Sequence, residues 1–137
     1  MRKQELDNWV KSGGDLPQNL TVDETSYLED LGWWRGERWY GDGQKYYEHN
    51  YLYGEKHGRY QQWFTNGEVL LDAYYSNGKE HGKYEKWHSN GSKRIQFCYH
   101  YGKKHGVFKV WGVSGKLETH EEYAYGILLK DFLKQTS

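Results

Sequence analysis

Three histidines, His57, His81 and His105, and four tryptophans, Trp39, Trp63, Trp87 and Trp111, recur at 24-residue intervals. Evenly spaced imidazoles invite a metal reading. On successive hairpins, however, they would lie about 10 Å apart, whereas zinc holds its nitrogens at roughly 2.0–2.1 Å. The spacing instead predicts structural histidines, bonded to a turn carbonyl or packed on a neighbouring indole, with anion or partner contact as the alternative. The tryptophans read as a stacking spine. Their alternative is an aromatic groove for bases, sugars or a peptide, with the three histidines as polar contacts. The residue after each tryptophan varies (Tyr40, Phe64, His88, Gly112), and variation within a repeat marks Tyr40, Phe64 and His88 as candidate partner contacts. Tyr74 breaks a column otherwise made of Asn50, Cys98 and Glu122, and with Leu70 it forms an apolar patch on a polar strand face.

Catalytic signatures do not follow from these residues. The sequence has no phosphate loop, no G-x-S-x-G and no C-x-x-C. Cys98 and His100 alternate along one strand, a poor geometry for a nucleophile and its base. The expectation is a protein that is not an enzyme and uses no metal or cofactor.

The elements that must position these side chains follow from the same period. Tyr53-Gly-Glu-Lys-His-Gly-Arg-Tyr60, Asn77-Gly-Lys-Glu-His-Gly-Lys-Tyr84 and Tyr101-Gly-Lys-Lys-His-Gly-Val-Phe108 align without gaps. So do the turn pairs Asp42-Gly43, Asn66-Gly67, Asn90-Gly91 and Ser114-Gly115. Asn-Gly and Asp-Gly between apolar runs predict two-residue hairpin turns in which both central residues take positive φ. Strands are expected near 36–40, 44–52, 58–64, 68–76, 82–88, 92–100, 106–112 and 116–124. In the second strand of each repeat, Leu71, Ala73 and Tyr75, or Ile95, Phe97 and Tyr99, share a face. The first strand conflicts with that order: Tyr60 and Trp63, Tyr84 and Trp87, and Phe108 and Trp111 are three apart, which requires a bulge or a strongly curled strand.

The fold expected is therefore all-β, an elongated single-layer meander of β-hairpin repeats with a short N-terminal helix and a C-terminal cap. Residues 1–31 form the N-terminal helix and cap segment, 32–126 four repeats, and 127–137 the C-terminal cap. Leu6, Trp9 and Val10 share one helical face ahead of Gly13-Gly14. Ile127-Leu128-Leu129 and Phe132-Leu133 supply apolar residues at the other end.

Composition agrees with an array. Leu, Ile, Val and Phe are about 18% of the chain, near the level that signals disorder when net charge is high. Here 19 Lys+Arg offset 19 Asp+Glu, and 14 Tyr and 7 Trp supply the missing apolar volume. Zero net charge speaks against bulk nucleic-acid binding, and the lack of a basic amphipathic helix against a membrane surface. One cysteine, no apolar N-terminal segment and no run of roughly 18 apolar residues lead to a cytoplasmic expectation.

The unit Tyr75-x-Asn77-Gly78-Lys79-x-His81-Gly82-x-Tyr84-x-x-Trp87-x-x-Asn90-Gly91 resembles the bacterial variant of the MORN (membrane occupation and recognition nexus) repeat, across residues 32–126. The sequence departs from that pattern at Leu31-Gly-Trp-Trp-Arg-Gly36 and Val113-Ser114-Gly115. A single segment, Leu16-Pro-Gln-Asn-Leu-Thr-Val22, is similar to the short leucine-rich unit of many bacteriophage and bacterial proteins. The resemblance implies a non-catalytic hairpin array similar to YwqK-type antitoxin proteins. It further implies a protein partner, a toxin or a host defence factor, neutralised or inhibited in a bacterial or phage-infected cell. The alternative function is sequestration of a small nucleotide signal, and a homodimer through a strand edge or the N-terminal helix stays open.

Overall fold

A computed structural model describes residues 1–134. Positions 135–137, the last three of the expected C-terminal cap, lie outside the described residues. Two helices, α1 (Lys3–Ser12) and α2 (Val22–Asp30), precede ten strands: β1 (Trp33–Trp39), β2 (Lys45–Leu52), β3 (Glu55–Trp63), β4 (Val69–Ser76), β5 (Lys79–Trp87), β6 (Lys93–His100), β7 (Lys103–Lys104), β8 (Gly106–Trp111), β9 (Leu117–Ala124) and β10 (Ile127–Asp131). The strands make one open antiparallel sheet in chain order, with β7 and β8 both pairing β6 on either side of His105. The all-β meander is the fold.

Two kinds of turn alternate along it. Tyr53-Gly54, Asn77-Gly78, Tyr101-Gly102 and Tyr125-Gly126 have positive φ at both residues, as a two-residue hairpin requires. The Asp-Gly and Asn-Gly pairs differ from the sequence expectation, because only Gly43, Gly67, Gly91 and Gly115 have positive φ there. These are longer loops in which Gly67 N–H donates to the Phe64 carbonyl at 3.0 Å and Phe64 N–H to the Glu68 carbonyl at 2.8 Å. The polar residue acts as an acceptor instead: Asp42, Asn66 and Asn90 Oδ1 each take the N–H two residues on, at 2.9–3.0 Å.

A register shift falls immediately before each repeat tryptophan, at Arg38/Trp39, Gln62/Trp63, Lys86/Trp87 and Val110/Trp111. The bulge resolves the three-residue ring spacing, since one extra residue lets both rings serve the sheet. One face then carries aromatic residues. His49 stacks on Tyr60 (3.5 Å between centroids), Tyr84 on Phe97 (6.0 Å) and Phe97 on Phe108 (3.3 Å), with Ala73 fully buried in register between Tyr60 and Tyr84. The other face carries charge. Arg59 binds Asp72 through two nitrogens at 3.1 and 3.0 Å, and Lys83 reaches Asp72 and Glu85 at 3.2 and 3.4 Å.

The N-terminal segment folds onto this sheet. Leu6 and Trp9 of α1, Leu28 of α2, Trp33 and Leu52 form one buried cluster, each large side chain contributing roughly 1.5–3 kcal/mol by burial. Helix α2 was not anticipated. Thr21 and Glu24 form a reciprocal capping box at its start, and Arg2 binds the Glu24 carboxylate at 2.9–3.0 Å. At the other end, the 127–137 segment begins as the tenth strand, so its apolar residues extend the sheet and stay exposed. No described helix is long and apolar enough to cross a membrane.

Candidate partner-binding surface

The repeated histidines pin successive turns. Nδ1 of His57 accepts from the Asn77 N–H at 2.9 Å, Nδ1 of His81 from Tyr101 at 3.1 Å, and Nδ1 of His105 from Tyr125 at 3.1 Å. The partner is a backbone N–H 20 residues away rather than a turn carbonyl, while the other expected contact, an indole, is met at His57 by Trp9. Each such bond holds a residue of positive φ, including two tyrosines whose bulk disfavours that conformation. Because Nδ1 accepts, the proton of the neutral ring lies on Nε2. In His57 that Nε2–H donates to the Trp9 carbonyl at 2.6 Å. Burial depresses the pKa of His57; burial and then the neighbouring His100 depress that of His81. Among the described residues no three His, Cys, Asp or Glu side chains are grouped to hold a metal ion.

The tryptophans are not a spine. Among the described residues none of Trp39, Trp63, Trp87 and Trp111 stacks on another ring; the stacks belong to the tyrosine and phenylalanine columns one bulge away. Lys45 lies 5.9 Å over Trp39 and Lys93 5.5 Å over Trp87.

Two of the variable residues beside them are tied to the next repeat. The Tyr40 hydroxyl donates to the Trp63 carbonyl at 2.8 Å, and His88 Nε2 to the Trp111 carbonyl at 2.9 Å. Phe64 and Gly112 form no such link. The variation at Tyr40 and His88 thus reflects inter-repeat bonding.

Tyr74 also has a local task. Its hydroxyl donates to Asp15 at 2.9 Å, and Arg59 and Lys83 flank its ring at 5.7 and 5.9 Å. Leu70 packs partly against the cluster of Leu71, Ala73 and Tyr75. Tyr74 is thus a seat for the N-terminal segment, the alternative of contact with a cap, while Leu70 packs within the sheet.

Exposed rings run the length of the sheet, Trp34, Trp39, Tyr46 and Tyr53 among them in its first half, but buried residues do not. Buried residues run from Leu6 to Glu85, and none of residues 86–134 is buried. Over that stretch the sheet is a bare layer. It carries the Phe97 and Phe108 stack, the turn tyrosines Tyr101 and Tyr125 (48% and 57% exposed) and the apolar strand Ile127-Leu128-Leu129. Tyr101 stacks on His81 at 4.0 Å, Tyr125 meets His105 at 4.3 Å with a 34° tilt, and His100 stands 5.3 Å from His81 and 5.9 Å from His105. The sequence does not single out Tyr101 or Tyr125, and it offers His100 only as a base beside Cys98. The available signal was the switch from Asn77 to tyrosine at a turn position that favours asparagine.

Compared with known proteins, the chain matches no family model and no curated protein.

Proposed function

We propose that this chain is a non-enzymatic, MORN-like repeat protein that binds a partner protein and neutralises or inhibits it, as an antitoxin or a phage counter-defence inhibitor would, in a bacterial cytoplasm. One observation carries the reading. The aromatic columns have no layer over them, and from residue 86 onward the reverse face has none either, since no described residue there is buried. A flat surface of tyrosine and phenylalanine with a polar reverse face suits protein contact, because such rings bring large area with few rotors.

The nucleotide alternative has weaker support. A cleft of about 330 Å³ lies between the N-terminal segment and the sheet, lined by Asp15, Leu16, Gln18, Arg35, Glu48, Asn50, Arg59 and Gln61. Its arginines already pair with acids, Arg35 with Glu48 at 3.2 Å and Arg59 with Asp72 at 3.0 Å, and no repeat tryptophan lines it. Phosphate would have to displace those carboxylates.

The test is capture of the tagged full chain from a bacterial lysate, followed by cross-linking to locate the contact. A stoichiometric protein cross-linked to β5 and the strands after it, residues 79–134, is the expected result. No stoichiometric protein, together with heat from a nucleotide in calorimetry, would overturn it.

A further inference from the structure

Helix α1 shows how one repeat is recognised. The Trp9 indole meets the His57 ring edge-on at 4.8 Å and 85°, and its carbonyl takes the Nε2–H of the same ring at 2.6 Å. The indole lies directly over Gly58, where a Cβ would fall 2.5 Å from Trp9 Nε1. Gly13, at the end of the helix, crosses so near the sheet that its own Cβ would fall 2.5 Å from the Tyr75 carbonyl. Asp15 then reaches the Tyr74 hydroxyl at 2.9 Å and Arg59 at 3.6 Å. The site is thus a histidine Nε2 donor, a bare glycine and a flanking cation. Its occupant is the carboxyl end of a helix with a tryptophan one turn before a glycine pair and an acid just beyond.

The same site recurs without a helix over it, the His81 ring meeting Tyr101 at 4.0 Å and His100 at 5.3 Å. His81 and His105 hold the orientation of His57, with Nδ1 facing the next turn and Nε2 turned away from it. Among the described residues neither Nε2 has a hydrogen-bond partner. Gly82 and Gly106 both have φ +98, and the only atoms within 4 Å of a Cβ there are Tyr74 Cβ and Cys98 Cβ, each at 3.8 Å. The flanking residue distinguishes the two. Arg59 becomes Lys83 in one repeat and Val107 in the next, while Tyr74 becomes Cys98 and then Glu122. Only the His81 site keeps a cation: Lys83 lies 3.2 Å from Asp72 and 3.4 Å from Glu85, as Arg59 lies 3.0 Å from Asp72 while it also reaches Asp15.

We infer that His81, Gly82 and Lys83 form a docking site for the carboxyl end of a partner protein's helix, one that carries a tryptophan, a glycine pair and a following acid. His105–Gly106 is a weaker second copy. The inference rests on the protein-binding reading above and adds to it a site on the charged face, beside Lys83, with the chemistry of the segment it takes.

The experiment uses the full chain with labelled histidines, titrated with a synthetic peptide of residues 1–16 as the probe and followed by NMR. Saturable shifts of the His81 ring and the Tyr101 amide are expected, with His57 unmoved. The peptide carrying Trp9→Ala should bind at least tenfold more weakly. His81→Asn supplies the discriminating variant, because its side-chain oxygen can still accept from the Tyr101 N–H while Nε2 is gone. The variant should fold and lose at least tenfold in affinity. Equal affinity for His81→Asn, shifts confined to His57, or no saturable shift at millimolar peptide would each overturn the inference. If a captured cellular partner binds His81→Asn as well as it binds the parent chain, the docking site fails while the partner-binding reading stands.

Discussion

His49 is 8% exposed, stacked between Tyr47 and Tyr60, and its Nε2 is buried without a partner. Burial, followed by the nearby Lys56, pushes its pKa down to about 4 from an ordinary 6.5. The unfolded chain therefore binds the proton first as pH falls. This group's contribution to stability is complete above pH 6.5 and drains away between 6.5 and about 4. His57 and His81 act in the same direction, because burial disfavours the charged ring in both, with His100 adding to it at His81. Glu24, held well below the carboxylate range by Arg2 and the Thr21 N–H, adds a loss in more acid solution, below about pH 4.5. Urea midpoints measured from pH 7.5 to 4.5 should fall steadily. His49→Phe keeps the stack and removes the titration, so the slope should shrink by up to about 1.4 kcal/mol per pH unit. An unchanged slope would assign the acid lability elsewhere.

The turn tyrosines give a second test at this scale. Tyr53 holds φ +50, is 68% exposed, and has the Gly32 carbonyl rather than a histidine as the partner of its N–H (donating at 3.0 Å). Asparagine tolerates that conformation better and already occupies the same column at Asn77. Tyr53→Asn should raise stability by about 1 kcal/mol, read as a higher urea midpoint at constant slope.

At the scale of the element, α1 is held by packing and not by its own propensity, since a ten-residue helix is marginal alone. Its anchor is the Trp9 contact with Gly58. Gly58→Ala places a methyl group inside the indole and strains a φ of +85, so it should cost about 2–4 kcal/mol and release the helix. Gly41→Ala, where a Cβ meets nothing and φ is ordinary, serves as the neutral control. Tryptophan fluorescence and thermal unfolding report both changes. Equal behaviour of the two variants would show that α1 does not depend on this contact.

Across the whole molecule, stability is graded. The helices, β1 to β4 and the start of the array share the buried residues, whereas the later strands contact mainly their neighbours. Amide exchange should be slowest in β3, β4 and β5 and markedly faster in β9 and β10. Uniform protection would mean that the array opens as a single unit. The bare C-terminal half is also where a partner would add most stability. Binding there should slow exchange in β6 to β9 more than in β2.

The array itself was legible in the sequence, because a 24-residue period of glycines and rings admits few other folds. Hairpins, strand faces and the first helix could be placed from local chemistry alone. The Asn-Gly pairs were located correctly but given the wrong turn, since Asn serves there as an acceptor and only glycine takes positive φ. Helix α2 had a readable signal, Thr21 with Glu24 three residues on, obscured by the leucine-rich resemblance of the preceding segment.

Contacts made across the register stayed hidden. The bond from His81 to Tyr101 spans 20 residues and those from Tyr40 and His88 span 23, distances fixed only when neighbouring hairpins are aligned. By itself the sequence determined that rings and glycines would replace an aliphatic core. Tertiary structure alone decided that α1 covers one histidine–glycine turn and leaves two others bare, because that depends on where the helix comes to rest.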